Sequence, residues 1–316
     1  MTIRKKFFIL LLLFLVTQYK DFSNSTWAQS YSHLKLDAGR VPWTRLSYQA
    51  KTFWVEVITQ IRLESMSATE VEASLLSSPR GVPLKASSPK SYKIDLEMFV
   101  DSIFHSPIKV VNQVWFNPHD ATALGRIRLK RGEDDFKKVY RFTKQGVFRH
   151  RREPKDQQET PQNPENWTDV KDTFYSYNLA KLGCPNVSER LVLVYIVSAA
   201  EILKSDKPLT LCIFGKRQLH HARLRPLGLQ SLKIDFVEKK QQATIRRQGK
   251  IDAFKIALET QPLESDLEEM EKFSFLGFHE DIVIFIDPVS KLPIQVSGKI
   301  PKVGNSTLKL KEVQLR

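Results

Sequence analysis

The chain has 316 residues, 41% hydrophobic and 10% aromatic, enough for one large core or two modest ones. Charged residues make up 27%, which excludes wholesale disorder. Lys and Arg outnumber Asp and Glu by 49 to 35, a formal charge of +14, so anionic partners are favoured over cationic ones.

In chain order, Arg4, Lys5 and Lys6 come first, then an unbroken apolar run from Phe7 to Val16 and small residues at Thr26 and Ala28. This is the pattern of a signal peptide over residues 1–28, cleaved after Ala28. The alternative is an uncleaved anchor, but ten apolar residues fall short of the ~20 that span a bilayer. No later segment is long and apolar enough to cross a membrane as a helix, so none is expected in the mature chain. The protein is therefore expected to be exported, to the periplasm or the extracellular space, which moves nucleic acid off the list of partners.

From Ser47 onward the side chains alternate. Phe53, Val55, Val57, Thr59, Ile61 and Leu63 share one face, and Glu56, Gln60, Arg62 and Glu64 the other, as in one long half-buried strand. Alternation returns at Tyr92–Met98 and Ile108–Phe116. Three runs joined through Gly follow, Ala123–Lys130, Phe136–Thr143 and Val147–Arg152, and predict an antiparallel meander. Pro154–Pro164 reads as a surface loop. Phe174–Leu182 and Leu191–Leu203 then show helical spacing, with Ser188 placed as an N-cap. Strands resume at Leu209–Phe214, Leu232–Val237, Ala243–Gln248 and Ile251–Thr260. Glu264–Lys272 reads as an acidic helical turn, and the hairpin Ile282–Val296 with Leu308–Leu315 closes the chain.

The expected fold is mainly β: a large antiparallel curved sheet or open barrel with a short helical insertion. Its regions are an N-terminal β region at 29–153, a loop or linker at 154–173, and a helical insertion plus C-terminal β region at 174–316, continuous with 29–153. The alternative is a two-lobe split near 154–164.

Ile282–Gly298, followed by Gly304 and Leu308–Val313, resembles the closing hairpin of an uncharacterised family of bacterial exported proteins, a periplasmic domain of unknown function. Ser188–Lys204 is similar to that family's central helix, and Phe285 stands where a Trp is expected. The resemblance covers the second half of the chain. It implies an all-β envelope protein and supplies no catalytic residues.

Between Ala121 and Lys155 there are twelve Lys or Arg against four acids. If the three meander strands pair in order, Arg126, Arg128, Arg141, Arg149 and Arg151 gather as an anion-binding set. The bland alternative is a solvated sheet face. Trp54 and Trp115 have the parity of the less apolar face and are the aromatic ligand candidates. Cys184 and Cys212 form either two buried thiols or a disulfide closing 27 intervening residues, worth about 3 kcal/mol in the chain-entropy model. His220 and His221 are adjacent and point apart on a strand, so they form no metal pair. No nucleophile elbow, phosphate loop or paired-His motif occurs, so no catalytic residue, metal or cofactor is expected. The functional expectation is a non-enzymatic cell-envelope binding or carrier protein for an anionic or amphipathic ligand, a lipid or a glycan. The alternatives are a structural or assembly partner of another envelope protein and, third, an envelope-polymer hydrolase.

Overall fold

Alternating apolar side chains generate fifteen strands in a computed structural model that describes residues 34–103, 105–204, 207–263, 272–301 and 303–316. The signal-peptide reading (1–28) and the acidic turn at 264–271 lie outside the described residues. The first strands are β1 (Trp43–Lys51), β2 (Val55–Ser67), β3 (Lys90–Ser102), β4 (His105–Phe116) and β5 (Ala123–Arg131). Then come β6 (Phe136–Phe142), β7 (Gly146–Glu153), β8 (Asp169–Ser176), the two-residue β9 (Ser188–Glu189) and β10 (Leu209–Phe214). The last are β11 (Leu219–Lys240), β12 (Ala243–Pro262), β13 (Glu280–Ile286), β14 (Pro293–Ile300) and β15 (Gly304–Leu315). The helices are short: α1 (Ala68–Ser74), α2 (Leu179–Leu182) and α3 (Leu193–Ala199).

All fifteen strands belong to one sheet, in which chain neighbours are sheet neighbours from β8 back to β1 and from β15 back to β9, with β1 joined to β15. Pairing is antiparallel throughout except for β9 on β10 and a second contact between β11 and β15. That second contact pairs Val237–Lys239 with Glu312–Gln314 and closes β11–β15 into a five-strand ring. The described residues fall in one compact unit.

The alternation does its expected work in β2, where Thr59, Ile61 and Leu63 are buried and Ile58, Gln60 and Arg62 are exposed. The sheet curls around α3, whose seven residues are all buried. A helix this short and buried on every side has no stable existence in water and packs as a plug. Two polar bonds orient it: Trp43 Nε1 donates to Ser198 Oγ at 3.1 Å, and the Tyr195 hydroxyl donates to the Pro118 carbonyl at 2.8 Å. The Tyr195 ring meets Phe116 and Tyr92 edge-on, with centroids 5.0 and 5.8 Å away.

Four sequence expectations need correction. The strand expected to start at Phe53 starts at Val55, because Thr52 turns the chain: its N–H and hydroxyl both donate to the Val55 carbonyl. Phe53 is then 84% exposed and Trp54 about half exposed at the hairpin tip. Residues 169–173, expected in the linker, belong to β8, as do Phe174–Ser176, expected to be helical. The helix at 191–203 shortens to α3 with a 3-10 turn on each side, and Ser188 is a strand residue with no capping role. The strand expected at 232–237 extends to 22 residues, and the two expected at 243–248 and 251–260 are one strand of 20. β11 runs through Pro226 at a register shift, the kind of position where a strand tolerates a missing N–H.

Candidate functional site

Register decides which charges of the meander face one another. β5 pairs Arg126 with Tyr140 and Arg128 with Lys138 on β6. β6 in turn pairs Tyr140 with Arg149 and Lys138 with Arg151 on β7. Residues directly opposite in an antiparallel pair share a face. Two rows therefore run across the inner face: Val114–Arg126–Tyr140–Arg149–Thr173 and Asn112–Arg128–Lys138–Arg151–Lys171.

In the first row Arg126 is neutralised by an ion pair. Arg126 is 1% exposed, and its Nη1 donates to Glu189 Oε1 at 2.7 Å and to the Gly215 carbonyl at 3.0 Å. Its guanidinium carbon lies 3.8 Å from the centre of the Tyr140 ring. Glu189 belongs to the two-residue β9, and it also accepts the Leu191 N–H at 2.6 Å. Arg149 donates to Thr173 Oγ1 at 3.0 Å and faces the Tyr175 ring.

The second row is not neutralised. Arg151 pairs with Glu153. Arg128 and Lys138 both lie over the Phe136 ring, at 5.3 and 3.6 Å, and neither has a hydrogen-bond or ion-pair partner among the described residues. Burial, then Arg190 and Arg126, pushes Arg128 down to about 10. Burial, then Arg151, Arg128, Arg149 and Arg126, pushes Lys138 down to about 7.

Arg128 opens into a cleft of about 220 Å³ between the inner face of β3–β5 and the segment 273–279. Leu96, Met98, Val110, Leu191, Phe275 and Leu276 form its apolar walls; Arg190, Lys216 and His279 join Arg128 at its polar side. No carboxylate is among its lining residues. The Asn112 Oδ1 and His279 Nδ1 atoms in it have no hydrogen-bond partner among the described residues. Burial, followed by Lys216, Arg190 and Lys272, holds the His279 pKa below its ordinary value. Such a site attracts an anionic group with apolar surface attached, and disfavours a cation.

Lys138 carries a pH signature. The unfolded lysine titrates near ~10.4, so between pH ~7 and ~10 the unfolded chain binds a proton that the folded one does not. Stability from this group therefore rises with pH across that window. Urea midpoints measured at pH 7 and pH 10 are expected to show a smaller rise, or a larger fall, in Lys138→Met than in wild type. An unchanged difference would mean that Lys138 is not electrostatically strained.

Three residues expected at the site lie elsewhere. Arg141 is opposite Gly125 and Phe148, which turns it to the outer face; there it donates to Glu72 Oε2 on α1 at 2.9 Å and to the Leu124 carbonyl at 3.2 Å. Trp115, opposite Gly125, shares that outer face and packs with Val71 and Leu124 beneath α1. A Cβ at Gly125 would come within 2.2 Å of Leu75 Cδ2, so a larger residue there would have to displace the Leu75 side chain. Trp54 is at the β1–β2 tip against Phe53, ring centroids 4.4 Å apart. Arg126, Arg128, Arg149 and Arg151 do share the inner face, and Lys138, Glu189, Arg190, Lys216 and His279 join them. Lys138 was within reach of sequence reasoning, because pairing Arg126 with Tyr140 places it opposite Arg128. The others come from distant segments.

Cys184, after α2, is bonded to Cys212 on β10, with Cα atoms 5.9 Å apart. No group of three or more potential metal ligands occurs among the described residues, and no described helix is long and apolar enough to cross a membrane.

No protein-family model matches the chain, and no curated protein matches it. Among solved structures it is similar to the crystal structure of a β-barrel-like protein of domain of unknown function DUF1849 from Brucella abortus. The identity is 9% and the TM-score 0.40, over 87% of this chain and 98% of that one.

Proposed function

We propose that the protein is a non-enzymatic binding or carrier module of the cell envelope, holding an anionic or amphipathic ligand against the inner face of β3–β7. The observation that carries this reading is Arg128: a half-buried guanidinium without an acceptor among the described residues, opening into a cleft with apolar walls and no carboxylate among its lining residues. Leaving such a charge unpaired costs stability, and a ligand anion offsets that cost. The ligand's head would lie on Arg128, near Arg190 and Lys216, and its apolar part along Leu96, Met98 and Val110. Export to the periplasm or the extracellular space belongs to the same proposal. It is supported by the basic, apolar and small-residue succession of residues 1–28 and by the Cys184–Cys212 bond, which persists in oxidising compartments.

Calorimetric titration of the mature chain tests it, with dodecyl phosphate and dodecyltrimethylammonium as probes. The phosphate is expected to bind one to one and the ammonium not at all. Arg128→Glu should weaken the phosphate about 100-fold, roughly 2.7 kcal/mol, while Arg62→Glu on the exposed outer face of β2 leaves it unchanged. Equal binding of both head groups, or full affinity in Arg128→Glu, would refute the reading. Native mass spectrometry of the purified protein then separates lipid from glycan. A single stoichiometric protein found there in place of a small ligand would favour an assembly role.

A further inference from the structure

β11 has an open edge. On the side away from β12 it pairs with β10 only along Leu219–Leu224 and with β15 only along Val237–Lys239. Between them, residues 225–236 have no strand partner on that side among the described residues. The closed end of the seam is pinned by Lys239 and Glu312, 2.7 Å apart. Below it β11 and β15 part around a slot of about 270 Å³.

The two sides of this slot differ in character. Leu232, Ile234, Phe236, Ile294 and Leu310 form its apolar floor, continuous with the core of the five-strand ring. Lys233, Lys309 and Lys311 form its rim, all exposed and without an ion-pair partner among the described residues. Asp235, the carboxylate among the lining residues, is held by Arg246 through two bonds of 2.8 and 2.9 Å.

A bare strand edge, a floor for every second side chain and a basic rim for the others describe one kind of occupant. We infer that the slot takes an extended peptide segment of a partner protein, with apolar and acidic residues alternating, paired to the β11 edge. The backbone satisfies the open edge, the apolar residues cover the floor, and the acidic residues meet Lys233, Lys309 and Lys311. Charge complementarity sets the sign of the partner, and the period of two sets its spacing.

Fluorescence anisotropy of a labelled eight-residue peptide alternating Val and Glu, added to the mature chain, provides the test. Binding one to one is expected. It should weaken at least tenfold when alternate backbone amides are N-methylated, and at least tenfold in the Lys233→Glu, Lys311→Glu double variant. These lysines are exposed, so the variant folds. The Val–Lys counterpart should not bind. Full affinity of the N-methylated peptide would show that no strand is added, and full affinity in the double variant that the rim is not used. Displacement of the peptide by dodecyl phosphate would assign the slot to an amphipath, and a dimer dissolved by Lys233→Glu would assign it to a second copy of the chain. Each of these four results overturns the inference. Arg128→Glu should leave peptide binding intact, so failure here and failure of the anion cleft are separable.

Discussion

Replacing Glu189 with Gln is expected to lower the unfolding free energy by about 3–5 kcal/mol, the cost of stripping a buried charge of its partner. Arg126 and Glu189 are 1% and 0% exposed, and water cannot reach Arg126 to replace the lost carboxylate. Glu189 also anchors the turn into α3 through the Leu191 N–H and lies 3.6 Å from Arg190 Nε. One side chain thus ties the two-residue β9 to β5 across the inside of the sheet. Urea denaturation reads the loss directly. A loss below 1 kcal/mol would mean that the pair is solvated or rearranged. Removing both charges together, in Arg126→Met with Glu189→Leu, should recover part of the loss, because two apolar groups need no counter-charge. The Gly215 carbonyl would still lose its donor and the Leu191 N–H its acceptor, so recovery stops about 2 kcal/mol short.

The same substitution has an opposite effect on binding. Glu189 is the carboxylate that tempers the field at Arg128, which feels Arg190 and Arg126 more strongly. Without it the anion cleft gains positive potential, so dodecyl phosphate should bind Glu189→Gln more tightly than wild type. At a hundred times its dissociation constant a ligand of the folded state adds about 2.7 kcal/mol of stability. Saturating phosphate amphipath should therefore restore much of what the substitution removes, and the ammonium amphipath should restore none.

The parts of this molecule legible in the sequence are those governed by period two. Val55–Leu63, the meander and the closing hairpin each carry their inward face in plain alternation, and pairing in chain order accounts for most of the sheet. Alternation is blind to where a strand ends. Phe53 and Trp54 continue the pattern of β2 and yet belong to a turn set by Thr52. It is blind as well to rotation between neighbouring strands: Arg141 has the arginine's chemistry but the parity of Gly125 and Phe148, and one residue of register sends it to Glu72. The apolar residues of Phe174–Leu182 suit either period over so short a span, and pairing with β7 selects the strand for its first three residues. Closure of the ring by β11 on β15, and the clasp of Glu189 on Arg126, join segments 63 or more residues apart, and no local pattern announces them.

Replacing Cys184 and Cys212 with Ser is expected to cost about 3.5 kcal/mol, the chain-entropy value for a loop of this length. The bond holds the end of α2 against β10 at a sequence separation of 28. Within that loop lie β9, the 3-10 turn Arg190–Val192 and α3, so both Glu189 and the apolar plug reach their places on a tethered segment. The short β9 pairs with β10 at only two positions, Ser188 with Ile213 and Glu189 with Phe214, too few to hold the segment unaided. Losing the bond should therefore act on the clasp as well as on the unfolded chain. The double-Ser variant and Glu189→Gln should cost less together than the sum of their separate effects, because each removes support for the same two residues. Denaturation of the four proteins in the cycle, with and without a thiol reductant, measures the coupling, and the reductant should reproduce the double-Ser loss in the wild type. Strict additivity would mean that the bridge constrains only the unfolded state and that β9 is held by Arg126 and Gly215 without it.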